Sequence, residues 1–200
     1  MDKFAVEGTG PIAKVNGVEI SRDSYLQTLE QTVNMYQSQG VAISDDEMIQ
    51  AIKNQVIDGL ISRQLILEAA INSGITIEDN LIDIEYQNTV SNLGGEEAFQ
   101  IALADVGMDE NTLRSNIKNS LIINKYLASE INTDNFSVSD EQVKVFYEQA
   151  KSDAGVGVEI PPLEEVSELI KSQLLSQMEQ EAVNAKIESL KTSANIEILI

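Results

Sequence analysis

The chain has no cysteine, no histidine and no tryptophan, and its prolines and aromatic residues are few. Without cysteine there can be no disulfides, thiolate metal sites or thiol nucleophiles, and without histidine the commonest general base is missing. The missing cysteines leave the compartment open, because cysteine-free chains occur on both sides of a membrane. We therefore expect no catalytic residues, no metal site and no cofactor, and we expect that the protein is not an enzyme.

Positive charge is also scarce. The chain has 13 lysines and arginines against 33 aspartates and glutamates, a net charge of -20. A surface of this sign repels phosphate backbones, so direct binding of nucleic acid is not expected. No apolar run approaches the roughly 20 residues that cross a bilayer, so no membrane insertion is expected either.

The two ends of the chain carry β-strand patterns, whereas nearly everything between them is helical in pattern. Residues 12–20 alternate apolar and polar around Asn16-Gly17, a dipeptide typical of a tight hairpin turn. Residues 195–200 form another short apolar segment of strand type. Because an isolated hairpin is only marginally stable, we expect the final strand to pair with the opening hairpin.

Seven helical segments are predicted between these ends. The first carries apolar residues at Leu26, Leu29, Val33 and Tyr36, which share a face at helical spacing. The last is about thirty residues long, judged from its periodic pattern. Its predicted buried stripe is Val166, Ile170, Leu174, Met178, Ala182, Ala185 and Leu190. The predicted helix starts are Ser21, Ser44, Thr76, Glu96, Asp109, Ser139 and Pro162.

These patterns predict a mostly α fold with a small β element that joins the N-terminal hairpin to the C-terminal strand. Residues 1–11 are expected to be a flexible tether, and 12–200 a single helical domain. Within it, 161–200 would be a long helix and strand that return to the N-terminus. The acid pairs Asp45-Asp46 and Glu96-Glu97 could ligate a hard cation, but charge at a helix start fits them better.

The order of the segments resembles the N-terminal chaperone domain of SurA and PrsA-type extracytoplasmic foldases. The resemblance is collinear over 12–200. Its elements are Val15-Asn16-Gly17, 60–70, 74–77, 107–114 and 138–147. No single element is diagnostic, and the specificity comes from their order and spacing.

The resemblance implies the chaperone half of that family without its isomerase half. In the family, a parvulin-type prolyl isomerase domain usually follows a segment like Val143 to Tyr147, and a helix then returns to the chaperone domain. Here only Glu148 to Ile160 separates the two. The parvulin site also typically uses a pair of histidines, which this chain lacks.

A small set of flexible or amphipathic apolar residues lies near predicted helix ends and loops. Such side chains suit a surface that must accept many sequences, although any single one of them is more often a core residue. As client-binding residues we predict Met35, Tyr36, Met48, Leu93, Phe99 and Met108.

The resemblance implies an ATP-independent holdase chaperone outside the cytoplasm, in the periplasm or at the cell surface. Its partners would be unfolded polypeptide clients held in an apolar groove. The alternative is a structural or assembly protein with one fixed partner, or a homodimer formed by swapping the terminal helix. The glycine-containing loop with Gly155 and Gly157 would serve as the hinge of such a swap.

Overall fold

The computed structural model describes residues 8–154 and 160–200. Residues 1–7 of the predicted tether, and the predicted hinge glycines Gly155 and Gly157, lie outside the described residues. Within them the chain forms a small sheet and seven α-helices, as the sequence predicts. The elements are β1 Ala13–Val15, β2 Val18–Ile20, α1 Arg22–Ser38, α2 Asp46–Asn72, α3 Asp79–Asn92, α4 Glu96–Asp105, α5 Glu110–Glu130, α6 Asp140–Asp153, α7 Leu163–Ser193 and β3 Ile196–Ile198.

The sheet joins the two ends of the described chain. Its strand order is β2-β1-β3, and both neighbours of β1 are antiparallel to it. Lys14 is the register partner of Glu19 on one side and of Glu197 on the other. The backbone of Ile12 extends the pairing, since its N–H donates to the Ile20 carbonyl at 3.0 Å and its carbonyl accepts from Leu199 at 2.9 Å. The predicted pairing of the final strand with the hairpin is therefore confirmed.

Asn16 both forms the hairpin turn and hydrogen-bonds to residues outside the hairpin. It adopts a left-handed backbone conformation with φ of 51°, as a tight hairpin turn requires. Its side chain accepts a hydrogen bond from the Asn195 N–H at 2.9 Å and donates one to the Glu68 carboxylate at 2.9 Å. Its backbone N–H donates to the Asn195 carbonyl at 2.8 Å. One turn residue thus holds the start of β3 and a side chain of α2.

The chain divides into two compact units. The first contains the residues up to Tyr126 together with Ile187–Ile200, and the second contains Leu127–Lys186. Both α5 and α7 contribute residues to both units. The expectation of a single domain over 12–200 stays a prediction.

The first unit has a core formed by the sheet, α1 and α2. Tyr25, Leu29 and Val33 occupy the buried face of α1 at a spacing of four residues. Leu26, predicted on this face, is 40% exposed instead, because Tyr25 takes the core position beside it. The buried residues of this first core are Ile12, Ala13, Val15, Ile20, Tyr25, Leu29, Val33, Ile52, Val56, Ile57, Ile61 and Leu65.

A second core in the same unit joins α3, α4 and α5. The rings of Tyr86 and Phe99 meet edge to face with centroids 5.3 Å apart. The guanidinium of Arg114 lies 4.3 Å from the centre of the Tyr86 ring and 2.6 Å from an oxygen of Asp83. The buried residues of this core are Ile82, Tyr86, Val90, Phe99, Leu103 and Ile117.

The second unit packs α6 against the first half of α7. Val143, Tyr147 and Ile170 form its buried centre, and the Tyr147 hydroxyl donates to the Pro161 carbonyl at 2.9 Å. That bond fixes the chain just before α7 begins. Of the stripe predicted for α7, Ala185 is exposed and only Ile170 is fully buried; the others are half-buried.

Helix starts follow the predicted caps in most cases. The side chains of Ser21, Asp109 and Ser139 each accept a backbone N–H of the first turn. Ser44 is not the cap of α2: Asp45 is, accepting from the Met48 N–H at 2.7 Å. Asp and Ser are comparable N-caps, but a carboxylate also complements the helix dipole.

The third helix also starts later than predicted, at Asp79 and not near Thr76. The Thr76 carbonyl accepts a hydrogen bond from the Lys125 ammonium at 3.0 Å. The Thr76 carbonyl is therefore hydrogen-bonded to a side chain of α5, and α3 begins three residues later.

Asn16→Gly should distinguish the contribution of the turn conformation to stability from that of the Asn16 side-chain hydrogen bonds. Glycine keeps the positive φ but removes both side-chain hydrogen bonds, so we expect the free energy of unfolding to fall by about 1–2 kcal/mol. Urea denaturation measures this. The matched variant Glu68→Ala removes only one of the two bonds and should lose less. Wild-type stability in Asn16→Gly would show that Asn16 acts through its backbone alone.

Tyr25→Phe should leave the fold as stable or make it more stable. Tyr25 is 0% exposed, and among the described residues its hydroxyl has no hydrogen-bond partner. Burial raises the pKa of this phenol, and the charge of Arg22 offsets part of the rise. Removing an unsatisfied hydroxyl should add up to about 1 kcal/mol to the free energy of unfolding. Tyr25→Ala should instead lose about 3–5 kcal/mol through the cavity it leaves. A loss above 1 kcal/mol in Tyr25→Phe would contradict the unpaired hydroxyl.

Candidate functional site

Two clefts lie on either side of α1 in the first unit. One, here called the α1–α2 cleft, has a volume of about 570 Å³. It is lined by residues of α1 and α2 and by Met108 and Asn116. The other, here called the α1–α4 cleft, has a volume of about 510 Å³ and lies between α1 and the turn that follows α4. Gln27 and Gln31 line both clefts, so they form the ridge between them. Each cleft is large enough to hold several side chains of a bound chain.

The α1–α2 cleft combines an apolar floor with polar walls. Val56, Leu60 and Met108 supply apolar surface. The polar side chains that line it include Gln27, Thr28, Gln31, Thr32 and Gln55. The cleft is therefore lined by both apolar and polar side chains, and the apolar groove that the resemblance implies stays a prediction.

The hydrogen-bonding groups of this cleft are partly committed. The hydroxyls of Thr28 and Thr32 donate to carbonyls one turn back on α1, at 2.7 and 2.8 Å, so toward the cleft they act as acceptors. The Gln55 carbonyl oxygen accepts from the Tyr36 hydroxyl at 3.3 Å, which leaves the Gln55 amide nitrogen as a donor. Donors and acceptors of this kind match the N–H and C=O groups of an extended backbone.

Gly59 and Arg63 give the α1–α2 cleft two further features. Gly59 is in the interior of α2, and a Cβ built on it would meet nothing within 4 Å. The missing side chain therefore leaves open space in the cleft. Arg63 brings a cation to the lining, and its guanidinium donates to the Ser120 hydroxyl at 3.2 Å.

The α1–α4 cleft is built by the end of α4. Gly107 takes a positive φ of 61°, and the Met108 N–H returns to the Leu103 carbonyl at 3.0 Å, which closes the helix. This turn leaves Val106 51% exposed on one side of the cleft, while α1 supplies Leu26 on the other. The carboxylates that line it are Asp23, Glu30 and Asp105.

The six predicted client-binding residues do not form one patch. Tyr36 and Met48 are half-buried against the first core, and Met108 is half-buried against the second. Met35 and Leu93 are exposed. Of the six, Met108 lines the α1–α2 cleft and Tyr36 touches its wall through Gln55.

Phe99 has a different place from the other five. It is 0% exposed and packs on Tyr86 inside the second core. It has no surface to offer a client in this structure, so we assign it to the core and leave it out of the candidate site.

Met108 is the one residue of the described cleft linings that the sequence predicted as a site residue. Those it missed include Leu26, Gln27, Gln31, Gln55 and Val106. A signal for Leu26 was present, because a stripe drawn through Tyr25, Leu29 and Val33 leaves Leu26 off the buried face. No comparable signal exists for Val106, since its position depends on where the turn after α4 packs.

The described residues offer binding groups but no assembled centre for a metal. Within 8–154 and 160–200, no three side chains of the usual ligand types converge on one point. Asp45 caps α2, and Glu96 and Glu97 lie in the first turn of α4, where they complement its dipole. In the same part of the chain, no helix combines the length and the apolar character that a bilayer crossing needs.

Curated relatives of this chain are named as foldases. The chain is 26% identical over 157 residues to the foldase protein PrsA of Caldanaerobacter subterraneus, which covers 74% of this chain and 45% of the relative. It is 28% identical over 114 residues to foldase protein PrsA 2 of Listeria monocytogenes, covering 57% and 36%. It is 25% identical over 153 residues to the foldase protein PrsA of Clostridium botulinum, which covers 70% of this chain and 45% of the relative. The chain thus spans less than half the length of these relatives.

A solved structure and a family model also match this chain. The structure comes from work on PEB4 and Cj1289, described as two structurally related SurA-like chaperones in Campylobacter jejuni. It matches with a TM-score of 0.56 and 13% identity, over 95% of this chain and 99% of that chain, which shows a shared fold. The model of the SurA-like N-terminal domain matches residues 1–127. The chain therefore belongs to the SurA-like N-terminal domain family.

Proposed function

We propose that this chain is an ATP-independent holdase chaperone that binds unfolded extracytoplasmic polypeptides. Membership of the SurA-like N-terminal domain family supports a chaperone role. The observation that carries the holdase mechanism is the pair of open clefts on α1, each of about 500 Å³ and each lined by both apolar and polar side chains. The location outside the cytoplasm is supported by the family and by Cj1289, a SurA-like chaperone that is a periplasmic protein.

The mechanism is reversible shielding. An unfolded chain exposes apolar side chains, which Leu60 and Met108 would cover in the α1–α2 cleft. The amide side chains of Gln27, Gln31 and Gln55 would bond the client's backbone, which every sequence shares. Such binding is sequence-tolerant and weak at each point, and it needs no covalent step. The net charge of -20 would keep the complex soluble.

Of the residues predicted to contact clients, five stay in the proposal. Met35 and Leu93 are exposed, whereas Tyr36, Met48 and Met108 are half-buried. Flexible Met side chains fit clients of varied shape. Met108 lines the α1–α2 cleft, and the other four lie at or near helix ends, where they would extend client contact beyond the clefts.

We also propose that residues 12–200 have no prolyl isomerase activity. The connection from the end of α6 to the start of α7 runs from Ala154 to Pro162. A domain needs roughly fifty residues or more, so none fits within it. The chain also lacks the histidines that the resemblance implies for a parvulin site.

One observation favours the alternative of a fixed partner or a swapped dimer. Leu169 and Leu175 on α7 are exposed, Leu169 by 69%. A long helix with exposed apolar residues can be covered by a partner or by a second copy. A sizing column run with a panel of unfolded peptides separates the two functions, since a tight dimer without peptide binding would favour the alternative.

Gly59 provides a test of the holdase and its cleft. Light scattering of a thermally unfolding client should fall when the chain is added in molar excess. Gly59→Phe should reduce this suppression several-fold, because its ring would fill the α1–α2 cleft where a side chain has space. Circular dichroism checks that each variant is folded.

Gly59→Ala is the matched control. It improves helix propensity by about 1 kcal/mol and adds only a methyl group, so suppression should match the wild type. No suppression by the wild-type chain would contradict the holdase. Equal suppression by Gly59→Phe would show that the α1–α2 cleft is not where clients bind.

A proline-peptide isomerisation assay tests the second proposal. We expect the rate to equal the uncatalysed rate, because the described residues present no histidine and the α6–α7 connection holds no domain. A known parvulin serves as the positive control. Clear acceleration by the purified chain would contradict the proposal.

A further inference from the structure

The α1–α4 cleft differs from its neighbour in charge. Among the described residues, its lining contains the carboxylates of Asp23, Glu30 and Asp105 and no lysine or arginine. In the described part of the chain, none of the three carboxylates takes part in an ion pair. The α1–α2 cleft, by contrast, contains Arg63. Two clefts of similar volume on one helix thus present different chemistry.

The apolar residues of the α1–α4 cleft lie between these carboxylates. Asp23, Leu26 and Glu30 are spaced by three and four residues, so they share one face of α1 with Leu26 in the middle. Across the cleft, Asp105 precedes Val106 directly. Leu26 and Val106 are both large, and both are more than a third exposed. Scattered exposed apolar residues are ordinary, but these two line the same cleft with a carboxylate beside each.

We propose that the α1–α4 cleft binds segments of unfolded clients in which lysine or arginine alternates with apolar residues. This rests on the proposed chaperone function and adds a preference among clients. Leu26 and Val106 would cover the apolar side chains. Asp23, Glu30 and Asp105 would hold the cations, and the net charge of -20 would add long-range attraction that salt weakens. Acidic segments would be repelled by the same groups.

The test is fluorescence anisotropy with three labelled peptides of equal length. The first alternates leucine and lysine with serine spacers, the second replaces each lysine by glutamate, and the third replaces each leucine by serine. We expect the first to bind most tightly, and its affinity to fall as salt rises. The second should bind at least tenfold more weakly, and the third should also lose affinity.

The charge variant is Glu30→Gln combined with Asp105→Asn. Neither change should harm folding, because Glu30 is in mid-helix and Asp105 is at the end of α4, where a negative charge is unfavourable. Affinity for the leucine–lysine peptide should fall about fivefold, the scale of two exposed ion pairs. Glu68→Gln with Glu85→Gln changes the net charge equally on α2 and α3 of the same unit and should leave affinity unchanged, because neither residue lines the cleft.

A third variant tests the apolar half of the site. Leu26→Ser with Val106→Ser should lower the affinity for the leucine–lysine peptide and leave the affinity for the serine–lysine peptide unchanged. Equal affinity for the lysine and glutamate peptides would overturn the proposal, as would an equal effect of both charge variants. A concentration-dependent dimer that binds no peptide would overturn it too, and would assign the cleft to a second copy. Aggregation suppression that is the same for cationic and anionic clients would leave the holdase standing and remove only this preference.

Discussion

The backbone hydrogen bonds on the two edges of β1 are the constraint on which the first unit depends. A three-residue strand has little stability alone, but β1 is paired on both sides, and its Ala13 and Val15 side chains are buried in the first core. Since β3 follows α7 directly, this pairing fixes where α7 must end. Lys191 on α7 lies 2.5 Å from Asp58 on α2 and strengthens that position. Burial opposes the charge on Lys191, but the carboxylates of Asp58 and Glu188 outweigh it and raise its pKa.

The clefts follow from this closure. The sheet and α2 bury one face of α1 through Tyr25, Leu29 and Val33, so the remaining faces of α1 are available on either side. The second core, built around Phe99 and Tyr86, holds the turn after α4 and the start of α5. The proposed client contacts are therefore made on both sides of α1, whose neighbouring elements are held in place by the two cores of the first unit. The chemistry of each cleft is decided by a few exposed side chains, which can change without disturbing either core.

Much of the fold could be predicted from the sequence because its signals are local. Asn16-Gly17 indicates the turn, and Ser21, Asp109 and Ser139 indicate helix starts through bonds that span three residues. Prediction failed where two neighbours compete for one place, as with Tyr25 against Leu26 and Asp45 against Ser44. The candidate site was harder, because a cleft exists only where separate elements meet. Met108 was identified as an apolar residue near a helix end, but nothing local distinguishes it from Phe99, which the structure buries.

An engineered disulfide between β1 and β3 tests the closure most directly. Lys14 and Glu197 are register partners, and partners in an antiparallel ladder are about 4.5–5.5 Å apart, within the range that a disulfide bridges. The chain has no cysteine of its own, so Lys14→Cys with Glu197→Cys gives an unambiguous pair. We expect complete oxidation under mild conditions with unchanged helicity. Lys14→Cys with Ile198→Cys should keep two free thiols, because Ile198 is the register partner of Ala13 and its side chain lies on the opposite face of the sheet from that of Lys14. Two reactive thiols in the first variant, or equal oxidation of both, would contradict the closure.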